Sequence, residues 1–413
     1  MTETDDGARP PLTGTTVLEV GVFMAAPFAA MQLADLGARV IKVEDPRAGD
    51  PVRASGPFVG DESSPYLRLN RNKESVALDL KSEAGRRAFL ALVETADVVV
   101  ENLRPGAMAR LGLDAAAVRA VNPRVVYASG SGWGQDGPLA PLPGLDIMAQ
   151  ARSGIMSITG TPGGEPVKVG VPVCDLVCGL YLALAVTAAL RERDRTGVGQ
   201  SIDVSLFEAG VSLAVWEAGR WFATGEVGGP LGSAHQSQAP YQAFRTADGW
   251  VTIGANTPNT WAGLCRTLGM DDALADDRYA DATRRHALRA ELQDLVESRT
   301  TARTTEDLLA ALGAAGVPCA PINDHGQVFT DDHLHARRFF WDGAHPTLPP
   351  QRQLGSPMRM SASPAVRDHA GPPLGADTRT VLERAGVPAD VVDAVAGPVV
   401  PAEPAPVAPG EGA

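Results

Sequence analysis

Apolar residues recur at two different spacings in the first half of the chain, and their alternation predicts a layered α/β fold. Short runs rich in β-branched residues read as strands at Thr15 to Val20, Ala38 to Glu44, Ser75 to Asp79, Asp97 to Glu101 and Arg124 to Ser129. Helical periodicity occupies Ala26 to Leu36 and Ser82 to Thr95, and Gly37 is the stop expected at a helix C-terminus. Strand, helix and strand in that order make a βαβ unit. The first 200 or so residues therefore belong to the doubly wound, mostly parallel α/β class.

The strongest apolar segment runs from Val173 to Leu190, with almost every side chain apolar on all faces. Such a pattern predicts a helix buried on every side. Its lone carboxylate is Asp175, directly after the glycine-containing loop Val169-Gly-Val-Pro-Val-Cys174. A carboxylate there must be paired, capping or reactive. Capping is the plain reading, because Asp is favoured at helix starts; covalent chemistry is the other.

Beyond that helix, Gln200 to Phe207 reads as a strand, followed by a helical stretch rich in Ala and Trp. Composition then shifts to Gly, Pro, Ser and Gln between Glu226 and Pro240, as at a domain boundary. Tyr241-Gln-Ala-Phe-Arg and Trp250-Val-Thr-Ile-Gly, around Ala247-Asp248-Gly249, read as a hairpin. The organisation expected is a flexible lead-in at 1–13, a large α/β domain at 14–215 and a linker at 216–239. A smaller inserted α+β domain follows at 240–325, then a linker at 326–355, a return to the large domain at 356–395 and a disordered tail at 396–413.

Composition narrows the partners. The net charge of −13 argues against nucleic acid and anionic membrane. The acidic start Met-Thr-Glu-Thr-Asp-Asp-Gly is no secretory signal, and the apolar run Val177 to Leu190 is short for a bilayer span. Cys174, Cys178, Cys265 and Cys319 form no CxxC pair. A cytoplasmic protein without disulfides or structural zinc is expected.

Several chemistries fail on their motifs. Gly21-Val-Phe-Met-Ala-Ala-Pro lacks the glycines of a dinucleotide-binding turn, although Glu44 ends the second strand where a ribose-binding acid would sit. Gly130-Ser-Gly-Trp-Gly-Gln-Asp-Gly137 is followed by Pro138, Pro141 and Pro143, which cannot open a helix. Asp331-Asp-His-Leu-His335 has metal-binding composition without a partner motif, and no G-x-S-x-G elbow exists. Basic residues are more informative. Lys42, Arg47, Arg53, Arg68, Arg71, Lys73, Lys81, Arg104 and Arg110 gather near strand ends. They are ordinary surface charge or a polyphosphate site, since open α/β sheets bind ligands at strand ends.

An ordered series of motifs resembles the class III CoA-transferase family, which includes formyl-CoA transferase and carnitine CoA-transferase. The series is Ala25-Ala-Pro27, Leu33-Ala-Asp-Leu-Gly-Ala-Arg-Val-Ile-Lys-Val-Glu44, Asn70-Arg-Asn-Lys73 with Leu78-Asp-Leu-Lys81, and Glu101-Asn-Leu-Arg-Pro-Gly106. It continues with Gly132-Trp-Gly-Gln-Asp-Gly-Pro138, Val171-Pro-Val-Cys-Asp175, Thr196-Gly-Val-Gly-Gln200 before Asp203-Val-Ser-Leu-Phe207, Ala239-Pro-Tyr-Gln-Ala-Phe244 and Ala336-Arg-Arg-Phe-Phe340. The resemblance covers about Leu12 to Leu382 and implies an interlocked homodimer. It implies Asp175 as the nucleophile, passing through an aspartyl anhydride and an aspartyl-CoA thioester, with a helix start keeping the carboxylate ionised despite burial. Acyl-CoA and a small carboxylic acid would be the substrates, with no tightly bound cofactor and no metal.

The CoA contacts implied are Phe23, Met24, Ala25, Asp45, Arg47, Leu78, Lys81, Asn102, Leu103, Arg110 and Ser131. Formyl-CoA transferase has glutamine in place of Met24 and lysine in place of Ser131, so its oxalate–formate specificity does not carry over. Gly163, Gly164, Gly170, Gly228, Gly229 and Gly232 offer backbone N–H groups for an oxyanion. The fold also resembles α-methylacyl-CoA racemases, the alternative reading. Those carry a His-Asp pair where this chain has Leu145-Asp146, and leucine moves no proton.

Overall fold

The computed structural model describes residues 9–397. The first eight residues of the expected lead-in, and the expected tail from 398 onward, lie outside them. Two compact units divide the chain: one holds residues up to Ala149, Pro172–Gly210 and Arg338 onward, the other Gln150–Val171 and Val211–Arg337.

The first unit is built on a six-stranded, wholly parallel sheet. Its strands are β1 (Thr16–Val20), β2 (Arg39–Glu44), β3 (Lys73–Ala77), β4 (Val98–Glu101), β5 (Val126–Ser131) and β6 (Ser201–Ser205). They run in the order β3-β2-β1-β4-β5-β6, the doubly wound arrangement in which the order reverses beside β1. Helices α1 (Ala25–Asp35), α2 (Glu83–Thr95) and α3 (Ala115–Val121) supply crossovers between strands. The Ser82 hydroxyl accepts the Gly85 N–H, which explains why α2 starts there. On one face, Leu18, Ile41, Val76, Phe89 and Leu92 form a core that also buries Val381, Leu382, Val391 and Val392 near the C-terminus.

Strand β3 begins at Lys73, two residues ahead of the expected Ser75. A lysine does not announce a strand interior, but here its ammonium is fully buried against Glu19 of β1. The expected strand from Gln200 to Phe207 is shorter, because Leu206 already opens a helix.

The long apolar segment forms α5 (Val173–Thr196), introduced by the short α4 (Asp146–Arg152). It is not buried on every side. Cys174, Cys178, Leu182, Val186, Ala189 and Arg193 make one buried stripe, with Arg193 paired to Asp97 at 2.7 Å. Leu180, Tyr181 and Leu184 face outward, and Leu184 is 64% exposed. At 24 residues, α5 has the length and apolarity of a membrane span, but its stripe is that of a helix packed on one side. The buried side crosses α1 at Gly179, where an added Cβ would lie 2.8 Å from the Ala25 carbonyl oxygen.

The second unit carries an antiparallel sheet of β7 (Tyr241–Arg245), β8 (Trp250–Gly254) and β9 (Cys319–Pro321) in the order β9-β8-β7. The hairpin read from the sequence is its first pair. Trp261, Leu264, Leu292, Val296, Leu308 and Leu312 form its core. Gln150–Val171, within the stretch expected of the large domain, clusters here. Helix α6 (Val215–Thr224) buries none of its residues within the chain.

Backbone cannot yield to a side chain as a rotamer can. Gly179→Ala should therefore destabilise the fold by about 1–3 kcal/mol in urea denaturation; unchanged stability would show that α1 and α5 do not cross this tightly.

Candidate active site

Parallel strands end together, so the segments after β1, β2, β3 and β4 emerge at one edge of the sheet. Phe23, Asp45, Leu78 and Asn102 follow those four strand ends in turn. Helix α1 starts at this edge, and its crossing with α5 lies one turn beyond Asp175. The fold thus brings the first turn of α5 to the edge where the strand-end loops gather.

Asp175 does not cap its helix. The position before α5 is Pro172, which has no side-chain oxygen to give. Asp146, the first residue of α4, does the capping: its Oδ1 accepts the N–H of Cys174 at 2.9 Å and of Asp175 at 3.3 Å. No ion-pair partner reaches the Asp175 carboxylate among the described residues. Burial, with Asp146 adding repulsion, pushes its pKa from 3.8 up to about 7. The helix start was expected to keep this group ionised despite burial; with burial and Asp146 raising its pKa to about 7, it shares its population between acid and carboxylate near neutral pH. Cys178, one turn on, is a buried thiol whose pKa is also raised by burial and by Asp175.

The expected CoA contacts divide into two sets. Phe23 is 51% exposed with φ +59°, and its N–H donates to Asp50. Met24 precedes α1, while Ala25, its first residue, is buried. Asn102 grips Val22 from both sides, accepting its N–H at 2.8 Å and donating to its carbonyl at 2.9 Å. Leu103 donates its N–H to Glu101. Asp45 and Arg47 form a two-pronged exposed pair, and Arg47 holds the Asp45 pKa down to about 2. Lys81 and Arg110 face solvent. In contrast, Leu78 is buried, and the Ser131 hydroxyl is occupied in accepting the Gly134 N–H. The candidate oxyanion glycines at 163, 164, 170, 228, 229 and 232 belong to the second unit, Asp175 to the first.

The basic cluster is smaller than its composition suggests. Lys42 and Lys73 are fully buried inside the sheet, paired with Glu19 at 2.6 and 2.7 Å. Arg53 pairs with Glu44, and Arg71 forks onto Asp35. These four cations balance internal acids, and among the nine only Lys81, Arg104 and Arg110 are exposed without an ion pair.

Three carboxylates that the sequence placed only inside motifs have surroundings that no local pattern shows. Asp146 stood only beside Leu145, which is 62% exposed; its capping role links positions 28 residues apart and has no local signal. Glu101 ends β4 with its pKa raised to about 7 by burial. Asp203 lies across the sheet from it, separated by Ser129, and these residues line a 570 Å³ cavity. Side chains alternate along a strand, and Asn102 and Gly130 face α5. That cavity therefore opens on the sheet face away from α5.

Comparison with known proteins agrees with this architecture. The sequence profile of CoA-transferase family III matches residues 12–378. A succinate–glutarate CoA-transferase of Agrobacterium fabrum is 37% identical over 383 residues, covering 91% of this chain and 95% of that protein. An acetyl-CoA:oxalate CoA-transferase of Acetobacter aceti is 36% identical, covering 90% and 95%. The crystal structure of a CAIB/BAIF family protein from Brucella suis superposes with a TM-score of 0.83 at 36% identity, covering 91% of this chain and all of that one.

With its pKa raised, folded Asp175 keeps a proton that the unfolded chain releases. The stability this adds is complete below the unfolded value of 3.8 and is lost as pH rises to about 7. Asp175→Asn, neutral throughout, should gain stability over the wild type as pH rises from about 4 to about 7, read from urea midpoints. A difference that stays constant with pH would contradict the raised pKa.

Proposed function

The chain belongs to CoA-transferase family III, and on that footing we propose that it moves CoA from a short acyl-CoA to a free dicarboxylic acid through intermediates on Asp175. The observation that carries this reading is the Asp175 carboxylate itself. It stands in the first turn of α5 with its capping duty taken by Asp146 and no ion pair among the described residues. A poorly solvated carboxylate is the stronger nucleophile once it loses its proton.

The chemistry balances without ATP, because one thioester replaces another. Asp175 attacks the donor carbonyl, the C–S bond breaks, and a mixed anhydride and CoA thiolate result. The thiolate attacks the aspartyl carbonyl, releasing the donor acid and leaving an aspartyl-CoA thioester. An acceptor carboxylate attacks that thioester and expels the thiolate, forming a second anhydride. The thiolate then takes the acceptor acyl group, and Asp175 returns as a carboxylate. Splitting the exchange this way keeps every step an acyl transfer between good leaving groups.

The relatives' names support this substrate class. Succinate, glutarate and oxalate, the acids in their names, are short dicarboxylates. Exposed Arg47, Lys81, Arg104 and Arg110 suit the phosphates of CoA at the strand edge. The racemase alternative is not favoured: Leu145 supplies no acid or base, and the relatives are transferases. We further propose a homodimer, supported by the outward apolar face of α5 at Leu180, Tyr181 and Leu184. A cytoplasmic location remains part of this reading.

Succinyl-CoA mixed with a panel of dicarboxylic acids should give new acyl-CoAs by mass spectrometry, and Asp175→Ala should give none while still binding CoA. Turnover by that variant would remove Asp175 from the mechanism. Leu184→Asp should shift the protein from dimer to monomer in light scattering; an intact dimer would clear this face of an interface role.

A further inference from the structure

The turn between β1 and α1 is held by buried charge. Lys42, in register beside Glu19 across β1 and β2, places its ammonium 2.6 Å from Glu19, 2.9 Å from Asp50 Oδ2 and 2.9 Å from the Gly21 carbonyl oxygen. Asp50 turns its other oxygen to backbone, accepting the Phe23 N–H at 3.1 Å and the Val52 N–H at 3.0 Å. Lys73 completes the cluster, bridging Glu19 to the Pro27 carbonyl at 2.8 Å. All four side chains are buried, and two ammoniums balance two carboxylates.

Such a cluster is a poor stabiliser, because desolvation offsets most of the attraction and apolar residues would fill the space as well. Apolar residues could not hold the backbone groups, however. Gly21, Val22 and Phe23 are each gripped by a different side chain: Lys42, Asn102 and Asp50. Their combined effect is to keep Phe23 at φ +59°, a conformation strained for a bulky residue, with its ring half exposed at the strand edge.

We infer that Asp50, oriented by Lys42, is a positioning residue that presents Phe23 and its neighbours to the CoA of the donor thioester. This rests on the CoA-transfer reading above. Phe23 is the surface; Asp50 acts only through it. The network is also specific in its chemistry. The substitution Asp50→Asn keeps Oδ1 as the acceptor of both N–H groups but turns an amide toward Lys42, leaving Glu19 as the carboxylate in contact with that ammonium and nothing to lock the Asp50 side chain in place.

The test titrates CoA into the wild type, Asp50→Asn and the double variant Lys42→Met with Asp50→Asn, with the melting temperature of each. Both variants lose the Lys42 contact that orients the position-50 oxygen holding Phe23, and should bind CoA about tenfold more weakly, the size of one lost hydrogen bond between charged groups. The double variant removes the uncompensated ammonium, so its melting temperature should recover toward the wild type while CoA affinity does not. In steady state the donor KM should rise with the acceptor KM unmoved. Wild-type CoA affinity in a folded variant, or an affinity that recovers together with melting temperature, overturns the positioning role and leaves the transfer reading intact. If Asp50→Asn does not fold, the double variant decides alone. A wild type that does not bind CoA overturns the transfer reading, and this inference with it.

Discussion

Two amide hydrogens at the start of α5 govern what Asp175 can be. A helix begins with unsatisfied N–H groups, and an Asp in the first turn ordinarily serves them. Here Asp146 serves them from α4, so Asp175 is left as a carboxylate with neither cap nor counter-ion among the described residues. The same arrangement sets two carboxylates close together, and their repulsion adds to burial in raising the Asp175 pKa. An unpaired carboxylate in this setting costs stability near neutral pH, and perturbed groups of this kind cluster at functional sites.

The sheet makes that turn useful. Because β1 to β4 run parallel, their ends deliver Phe23, Asp45 and Asn102 to one edge. Gly179 then lets α5 lie against α1 at backbone contact, and Asp175 arrives one turn from that crossing.

Much of the sheet was legible along the chain. β1, β2 and β4 announce themselves by β-branched runs between polar stops, and each observed strand begins within two residues of its expected start. The hairpin of β7 and β8 lies where the turn residues put it. Long-range pairing was not legible. Lys42 and Lys73 look like surface charge because nothing local reveals that Glu19 stands between them inside the sheet. Likewise α5 reads as apolar on all faces, and only its packing distinguishes buried Leu182 from exposed Leu184. Asp175 stood out as a lone acid in an oily helix, yet Asp146 was marked only by its place beside Leu145, and nothing local shows that it caps a helix 28 residues on. A motif names a residue; its environment comes from contacts across the fold.

Covalent attachment of CoA to Asp175 during transfer leaves a species that can be trapped. Mass spectrometry of the protein quenched after exposure to acyl-CoA without an acceptor acid tests it directly. A CoA thioester mapped to the peptide that contains Asp175 is the expected result. An unmodified peptide, or an adduct on another residue while exchange activity is intact, would contradict it.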